Sequence, residues 1–412
     1  MAITLRKADR IISGRVELPA SKSISNRVQI IRALCADDFE IHNLSEAGDS
    51  AILGSLLEQA AEEGTTLDCG PAGTTFRFLA AYLATIPGTR TLTGSDRMLQ
   101  RPVGHLVEGL RQLGADIKYV GKEDHPPLKI TGGKLKGGNM RLDGSVSSQF
   151  VSALLMIAPT LEGGLTIDLV REPVSKPYIE MTIAMMREFG VRVKWEDRKL
   201  IVPQADYEPA EFTVEVDWTA ASYWYELAAF SEEVSLELAG LQLESLQGDA
   251  VVQAIFERLG VSTIYSRDAI KLTRNDKQLP AVFEKDCSDL PDLAQTLALT
   301  CAGLRVPCKL SGLQTLRIKE TDRLSAVQTE LAKLGLEVMV DGSVLKIPRS
   351  QQVQATTTSI QTYDDHRMAM AFAPLAMLTG ELTIEDEQVV CKSYPGFWKD
   401  LEQVGFECLP AG

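Results

Sequence analysis

The sequence predicts an α/β protein of two similar domains, each made of three repeated β-α-β-α-β-β units. Three observations lead to this prediction. The 412 residues exceed what one ordinary hydrophobic core holds. Glycines that would close helices recur along the chain. A second, independent series of helix starts recurs with the same spacing, about 73 residues.

The first series is an amphipathic helix that ends in a glycine and is followed by a short strand. Glycine adopts the left-handed conformation that closes a helix without a steric penalty, so each copy predicts a helix end. A weaker copy stands at Gly64. The clear copies stand at Gly114, Gly190, Gly260, Gly335 and Gly405.

The second series is a small or polar start that leads into a helix with apolar residues nearly all round. Residues 23–27 open the first copy, and the later copies are marked by Thr74, Ser147, Ala220, Asp292 and His366. An all-round apolar helix is typically buried. Each repeated unit is therefore predicted to contain one buried helix and one solvent-exposed helix. The alternative is two unrelated α/β domains with coincidental helix spacing.

The two ends of the chain indicate how the domains are connected. The chain begins with a strand-like segment, and the last repeat is incomplete. Residues 1–14 are therefore expected to complete a domain formed by 218–412, with 15–217 inserted as the other domain and two crossover strands as the hinge. In this architecture the N-termini of the buried helices are expected to face an interdomain cleft.

Composition excludes several classes of function. A net charge of −14 argues against nucleic acid or an anionic membrane as a partner, and no apolar run approaches the roughly 18 residues of a membrane span. Seven scattered cysteines favour a reducing cytoplasm. Four histidines without ligand spacing predict neither a metal nor another cofactor. A monomer is expected.

The starts of the buried helices carry the residues that bind anions. A helix N-terminus offers unpaired N–H groups and partial positive charge, and here it is joined by hydroxyls, a glycine and cations. For any single site, simple helix capping is the favoured explanation. Five such sites in one repeat series shift the balance to a shared ligand cleft. The densest cluster is Lys-Glu-Thr-Asp-Arg at 319–323. A helix beginning near Thr321 would place Lys319 and Arg323 on one face, although such a run is also typical of a solvated helix.

Several strings together make the chain resemble the 5-enolpyruvylshikimate-3-phosphate synthases of the enolpyruvyl transferase family. The most specific are Lys-Glu-Thr-Asp-Arg at 319–323 and Asp-His-Arg-Met-Ala at 365–369. The resemblance runs nearly end to end. It includes Leu-Pro-Ala-Ser-Lys-Ser-Ile-Ser-Asn-Arg at 18–27, Ala-Gly-Thr-Thr-Phe-Arg at 72–77, Asp-Gly-Ser-Val-Ser-Ser-Gln-Phe at 143–150 and Ser-Lys-Pro-Tyr at 175–178.

The resemblance implies a transferase of the shikimate pathway, which leads to chorismate and the aromatic amino acids. Its substrates would be phosphoenolpyruvate and shikimate 3-phosphate, joined by addition and elimination with release of phosphate. The implied catalytic residues are Asp292 as the base on the attacking hydroxyl and Glu320, Lys22 and Lys392 in proton transfer at the methylene carbon.

The same resemblance implies the binding residues. Those for shikimate 3-phosphate are Lys22, Ser23, Arg27, Ser147, Ser148, Gln149, Ser175, Asp292, Thr315 and Lys319. Those for phosphoenolpyruvate are Lys22, Gly73, Arg101, Gln149, Arg323, Arg367 and Lys392, with His366 and Tyr178 in support.

Two positions depart from the family pattern. Pro71 stands where the family usually has Asn, and Thr315 stands where Asn is frequent. Neither change removes a charge, so altered affinity is expected and not loss of activity. The family is the target of glyphosate, which competes for the phosphoenolpyruvate position. Gly73 leaves space there, so inhibition by glyphosate is predicted.

Two rival functions are weighed against this one. The sister enzyme, UDP-N-acetylglucosamine enolpyruvyl transferase, typically carries a reactive cysteine before its Arg-Pro, whereas this chain has no cysteine between Cys69 and Cys287. A non-catalytic anion-binding module of the same fold would be expected to have lost one of the four implied catalytic residues, and all four are present.

Overall fold

The computed structural model describes residues 1–355 and 358–411, which form two compact units. The first unit joins Met1–Ala20 to Glu215–Gly412, and the second is Ser21–Val214. The chain opens in the first unit with strands β1, Ile3–Arg6, and β2, Ile11–Glu17. Among the described residues, every helix is too short or too polar to cross a bilayer.

The second unit follows without interruption. Its elements in chain order are α1 Lys22–Leu34, β3 Ile41–His42, α2 Gly48–Gln59, β4 Thr66–Asp68, α3 Gly73–Thr85, β5 Gly88–Thr93, α4 Asp96–Leu99, α5 Gly104–Gln112, β6 Asp116–Tyr119, β7 Leu128–Gly132, β8 Lys136–Leu142, α6 Ser148–Ile157, β9 Glu162–Leu169, α7 Lys176–Glu188, β10 Lys194–Glu196, β11 Lys199–Val202 and β12 Phe212–Thr213.

The chain then returns to the first unit. The remaining elements are α8 Trp218–Phe230, β13 Glu233–Ala239, α9 Val252–Phe256, β14 Val261–Tyr265, β15 Ala269–Arg274, β16 Phe283–Asp286, α10 Ala294–Gly303, β17 Cys308–Ser311, α11 Arg323–Lys333, β18 Met339–Asp341, β19 Val344–Ile347, α12 His366–Phe372, α13 Ala376–Thr379, β20 Glu381–Ile384, α14 Phe397–Gln403 and β21 Glu407–Pro410.

Four of the sheets repeat one pattern. Across the described part of the chain, four sheets have the orders β4-β5-β7-β6, β8-β9-β11-β10, β16-β17-β19-β18 and β2-β13-β15-β14. In each, the first two strands are parallel and the other neighbours are antiparallel. A parallel pair needs a crossover helix and an antiparallel pair does not. The predicted β-α-β-α-β-β unit is therefore confirmed.

The N-terminal strands are built into the first unit. Strand β1 lies between β20 and β21 and is antiparallel to both, with Leu5 opposite Leu382 and Cys408. Strand β2 pairs with β13 over its whole length to Glu17. Residues 15–20 and 215–217 belong to the first unit, whereas both segments were expected in the inserted domain. The strand pairing carries the first unit past the expected boundary at residue 14.

The two kinds of helix are also present as predicted, since α5 and α11 bury only some of their residues. Every residue of α8 and α12 is buried, and α3, α6 and α10 are buried along nearly all their length. The closing glycines have left-handed φ angles of 78° to 96°, at Gly64, Gly114, Gly190, Gly260, Gly335 and Gly405. The left-handed helix ends predicted from the sequence are confirmed.

Replacing Gly114 with alanine isolates the cost of this conformation. Its φ is 96° and a Cβ there would meet no atom within 4 Å, so the penalty comes from backbone strain alone. We expect Gly114→Ala to lower the free energy of unfolding by about 1–2 kcal/mol. The control is Gly133→Ala in the same unit, where a Cβ also meets nothing and φ is ordinary. Equal urea midpoints for the two variants would contradict the expectation.

Candidate active site

A network of charged side chains lies in the first unit, around the segments that precede α10, α11 and α12. We call it the first-unit cluster. Each member is within 4 Å of an oppositely charged neighbour. Its members are Asp292, Lys319, Glu320, Arg323, Asp365, Arg367 and Lys392. All but Asp365 were predicted site residues, and the structure brings those six together.

Arg323 is the hub of the cluster. Its Nε donates to Asp365 Oδ2 at 2.7 Å and its Nη2 to Asp365 Oδ1 at 3.3 Å, which is a bidentate pair. Nη1 donates to Asp292 Oδ1 at 3.2 Å, and Nη2 also donates to Glu320 Oε2 at 3.0 Å. Burial acts to lower the pKa of Arg323, but the three carboxylates outweigh burial and raise it. The guanidinium is therefore permanently charged and fixed.

Asp292 is held among three cations. Arg367 Nη2 donates to Asp292 Oδ2 at 2.8 Å, and Lys319 Nζ lies 3.8 Å from Oδ1, the oxygen that Arg323 also contacts. Burial alone would raise the pKa of this carboxyl. The positive charges of Arg367, Lys319 and Arg323 outweigh burial and hold the pKa well below its usual range. Asp292 is therefore an ionised acceptor.

Lys392 extends the network at the other end. It closes the 3₁₀ turn Glu387–Lys392, and its Nζ lies 3.3 Å from Glu320 Oε1. Glu320 thus bridges Lys392 and Arg323 with its two oxygens. The cluster contains four basic side chains and three carboxyl groups, so positive charge is in excess. Such a site favours a bound anion.

The approach to α11 differs from the prediction. The helix begins at Arg323, with Asp322 as its N-cap accepting from Ser325 N at 3.2 Å, and not near Thr321. Lys319 and Glu320 lie in the loop after the 3₁₀ turn Gln314–Ile318. The prediction that Lys319 and Arg323 lie on one face of this helix is therefore wrong. The capping carboxylate fixes the helix start two residues later, and both cations instead reach Asp292.

Two residues of this region were missed by the sequence analysis. Asp365 is fully buried; besides holding Arg323, its Oδ1 accepts the backbone N–H of Arg367 at 3.0 Å and so caps α12. An acid directly before an apolar helix was the available signal. Tyr223 of α8 accepts a hydrogen bond from Arg367 Nη1 at 3.3 Å, and the sequence carried no signal for that contact.

His366 and Thr315 are two further predicted site residues of the first unit. The buried His366 ring places Nδ1 3.7 Å from Asp365 Oδ1. Thr315 is buried in the 3₁₀ turn Gln314–Ile318, and its hydroxyl makes no hydrogen bond among the described residues. The role of Thr315 at the ring of a ligand stays a prediction.

A second group of predicted residues lies in the second unit, at the starts of α1, α3 and α6. Lys22 begins α1, and its Nζ lies 3.1 Å from Asp49 Oδ2. The backbone carbonyl of Asp49 accepts from Thr75 of α3 at 2.9 Å. Gln149 of α6 donates to Thr74 at 2.9 Å. These bonds join the starts of four helices, α1, α2, α3 and α6. The N-termini of such helices favour anions.

Gly73 lies against two arginines at the start of α3. Arg77 Nη1 donates to the Gly73 carbonyl at 2.8 Å. A Cβ on Gly73 would lie 2.4 Å from Arg101 Nη1 and 2.7 Å from Arg77 Nη1. Both arginines are buried. The absence of a side chain at residue 73 is what lets two guanidinium groups approach the same helix start, where an anion is favoured.

Arg27 holds helices together in the second unit. Its Nε donates to Thr182 at 2.7 Å, and Nη2 donates to Ser152 at 3.3 Å and to the Tyr178 carbonyl at 3.2 Å. Nη1 donates to the Ser23 carbonyl at 2.8 Å. Burial lowers the pKa of Arg27 to about 10. Most of its donors therefore serve α1, α6 and α7, and a ligand can be reached only through Nη1.

The predicted serines occupy helix starts. Ser147 caps α6 by accepting from Gln149 N at 3.2 Å, and Ser148 is the first residue of that helix. Ser175 precedes α7 in a left-handed conformation, with φ 55° and ψ 46°. A non-glycine residue in this conformation is uncommon and marks a constrained backbone. The structure thus places Ser175 in a fixed turn beside the N–H groups of α7.

Comparison with known proteins was made at the level of family, sequence and structure. The model of the family described as EPSP synthase (3-phosphoshikimate 1-carboxyvinyltransferase) matches residues 46–401. A 3-phosphoshikimate 1-carboxyvinyltransferase of Bacteroides fragilis is 47% identical over 405 residues, covering 98% of each chain. One from Sulfurovum sp. is 39% identical over 429 residues, covering 98% of this chain and 99% of the relative.

Solved structures share the fold. An EPSP synthase from Acinetobacter baumannii aligns with a TM-score of 0.81 over 99% of both chains at 20% identity. The enolpyruvyl transferase NikO from Streptomyces tendae aligns with a TM-score of 0.77 at 17% identity, covering 100% of this chain and 99% of that one. At such identities the similarity establishes the two-domain α/β architecture alone.

The buried carboxyl group of Asp249 makes the stability of the first unit depend on pH. The carboxyl is buried and accepts from the Thr219 hydroxyl at 2.5 Å. Burial, and after it the negative charge of Asp292, raise its pKa from 3.8 to about 6, against the opposing effects of Thr219 and Arg367. Because the pKa of Asp249 is higher in the folded than in the unfolded state, protonation of this carboxyl group favours the folded protein. The resulting contribution to the free energy of unfolding is fully present below about pH 4. That contribution is lost as the pH rises through 6.

We therefore expect Asp249→Asn, which imitates the protonated acid, to stabilise the protein at pH 7.5 by up to about 3 kcal/mol. The gain should be much smaller at pH 4. Thermal unfolding followed from pH 4 to 7.5 measures both, with the exposed Asp341→Asn in the same unit as the control. A stability difference that does not vary over this range would contradict the assignment.

Proposed function

We propose that this chain, which belongs to the EPSP synthase family, transfers the enolpyruvyl group of phosphoenolpyruvate to the 5-hydroxyl of shikimate 3-phosphate. Phosphate is released in the reaction. Family membership rests on the match over residues 46–401 and on relatives up to 47% identical over almost the whole chain. The protein is thus an enzyme of the transferase class, acting in the shikimate pathway of aromatic amino-acid biosynthesis.

The observation that carries this proposal is the first-unit cluster. An ionised Asp292 is held by Arg323 and Arg367, with positive charge in excess around it. Phosphoenolpyruvate brings a phosphate and a carboxylate, and shikimate 3-phosphate brings another of each. Binding such polyanions requires surplus cations, whereas deprotonating a hydroxyl requires a fixed carboxylate. The cluster supplies both.

We assign Arg367 and Lys392 to phosphoenolpyruvate from the first unit. Arg367 pairs with Asp292 and Lys392 with Glu320, so both place positive charge beside the two carboxyl groups proposed to act in the reaction. Arg323 was predicted to bind this ligand too. Because it serves three carboxyls at once, we infer that its larger role is to orient Asp292 and Glu320. From the second unit we assign Lys22, Gly73, Arg101 and Gln149.

Shikimate 3-phosphate is assigned to hydroxyls and cations at helix starts. The second unit would supply Lys22, Ser23, Arg27, Ser147, Ser148, Gln149 and Ser175, with Tyr178 in support. The first unit would supply Asp292, Thr315 and Lys319. Serine hydroxyls and backbone N–H groups at helix N-termini are good partners for phosphate oxygens. The proximity of Lys319 to Asp292 would place the reacting hydroxyl beside its base.

The proposed reaction moves one proton in each of several steps. The Asp292 carboxylate accepts the proton of the 5-hydroxyl as its oxygen attacks the enol carbon of phosphoenolpyruvate. The methylene carbon receives a proton from Glu320, Lys392 or Lys22. Loss of phosphate, with removal of a proton from the new methyl group, then restores the double bond. Orientation of two bound substrates replaces a bimolecular encounter.

Release of phosphate tests the proposal directly. We expect phosphate to appear when both substrates are present and not with either alone. Asp292→Asn should lower kcat by roughly 10²- to 10⁴-fold, because general base catalysis contributes about that factor. The exposed Asp341→Asn should leave kcat unchanged. Phosphate release from phosphoenolpyruvate alone, or with UDP-N-acetylglucosamine as acceptor, would overturn the assignment in favour of another activity.

Inhibition by glyphosate is predicted through Gly73. A methyl at this residue would displace the Arg101 and Arg77 guanidinium groups, which its Cβ would approach to 2.4 and 2.7 Å. We expect glyphosate to compete with phosphoenolpyruvate. Gly73→Ala should raise both the KM for phosphoenolpyruvate and the inhibition constant, whereas Gly133→Ala, in open space, should change neither. Indifference of the unsubstituted enzyme to millimolar glyphosate would contradict the prediction.

A further inference from the structure

An aromatic cluster packs behind the cations of the first unit. Phe397 of α14 is its centre, with ring centroids 5.9 Å from Tyr223, 6.4 Å from Trp224, 5.4 Å from Tyr394 and 5.0 Å from Trp398. Apart from the partly exposed Trp398, these side chains are buried. Closely packed aromatic rings have little freedom to move. The cluster therefore fixes the ring of Tyr223.

The hydroxyl of Tyr223 is the polar edge of this cluster. It lies 3.3 Å from Arg367 Nη1, which donates to it, while Arg367 Nη2 donates to Asp292 at 2.8 Å. The two terminal nitrogens of Arg367 are thus held by different groups, one from α8 and one from the loop before α10. A planar guanidinium held at both terminal nitrogens has a defined orientation.

The partner at Nη1 is neutral, and this matters for an anion-binding arginine. Burial, above all, raises the pKa of Tyr223 to about 12, despite the opposing charge of Arg367. The hydroxyl therefore stays protonated at physiological pH and orients Arg367 without cancelling its charge. A carboxylate in the same position would orient the arginine equally well, but it would compete with an anionic ligand for that charge.

We propose that Tyr223 is a positioning residue for phosphoenolpyruvate: it fixes the Arg367 guanidinium in the orientation that receives the anionic donor substrate. The inference rests on the proposed function, since it assumes that Arg367 contacts this substrate. Tyr223 itself touches the arginine and takes no part in proton transfer. Its removal should therefore weaken binding of one substrate and leave the chemical step nearly intact.

The same helix provides a matched control. Tyr225 is also fully buried on α8, and its hydroxyl bonds to the Thr263 hydroxyl at 2.7 Å. Tyr223→Phe and Tyr225→Phe each remove one buried hydroxyl with one side-chain hydrogen bond. They differ in whether the lost partner is Arg367. A merely structural role for Tyr223 would make the two variants behave alike.

The experiment is steady-state phosphate release with each substrate varied in turn. For Tyr223→Phe we expect the KM for phosphoenolpyruvate to rise about tenfold, the scale of a lost hydrogen bond to a charged group. The KM for shikimate 3-phosphate and kcat should stay within about twofold. Tyr225→Phe should leave all three constants within twofold, and thermal unfolding should be similar for the two variants.

Two results would overturn the inference while leaving the proposed function intact. One is an unchanged KM for phosphoenolpyruvate in Tyr223→Phe, and the other is an equal rise in both variants. A fall in kcat with unchanged KM would also reject positioning in favour of a direct role in chemistry. If the unsubstituted enzyme releases no phosphate from the two substrates together, the proposed function itself has failed.

Discussion

The site of the first unit depends on one buried arginine that holds three carboxyl groups. Removing a charge from water is costly, and the cost is recovered only when geometry and hydrogen bonding are good. Arg323 meets this requirement through a bidentate pair with Asp365 and single bonds to Asp292 and Glu320. Because each partner belongs to a different segment, one side chain sets the relative positions of the loops before α10, α11 and α12.

The same arrangement separates support from binding. Asp365 is fully buried, and its carboxylate balances the charge of Arg323. It can therefore hold Arg323 without competing with an anionic ligand for the other cations of the cluster. Arg367 shares Asp292 with Arg323, and Lys392 shares Glu320 with it. Charge in excess is thus placed on the side chains that are proposed to meet substrate, and not on the one that organises the site.

Local signals were enough to predict the repeats, but contacts at a distance were not predictable. A glycine such as Gly260 predicts a left-handed turn from the sequence alone, because glycine adopts this conformation without a steric penalty. The sequence pattern was compatible with a start of α11 near Thr321 or at Arg323. The structure has the later start, because Asp322 is the residue that caps the helix. The reach of Asp365 to Arg323, and of Tyr223 to Arg367, depends on how whole helices pack. Residue spacing along the chain carries no record of that.

Strand β1 has a consequence for the order in which the protein is made. It is synthesised long before its neighbours β20 and β21, so its backbone groups stay bonded to water until both of these strands have been made. The second unit is one continuous segment, Ser21–Val214, and can assemble as soon as it emerges. A released fragment that ends at residue 214 should therefore contain one protease-resistant unit, preceded by an N-terminal segment that proteases can cut.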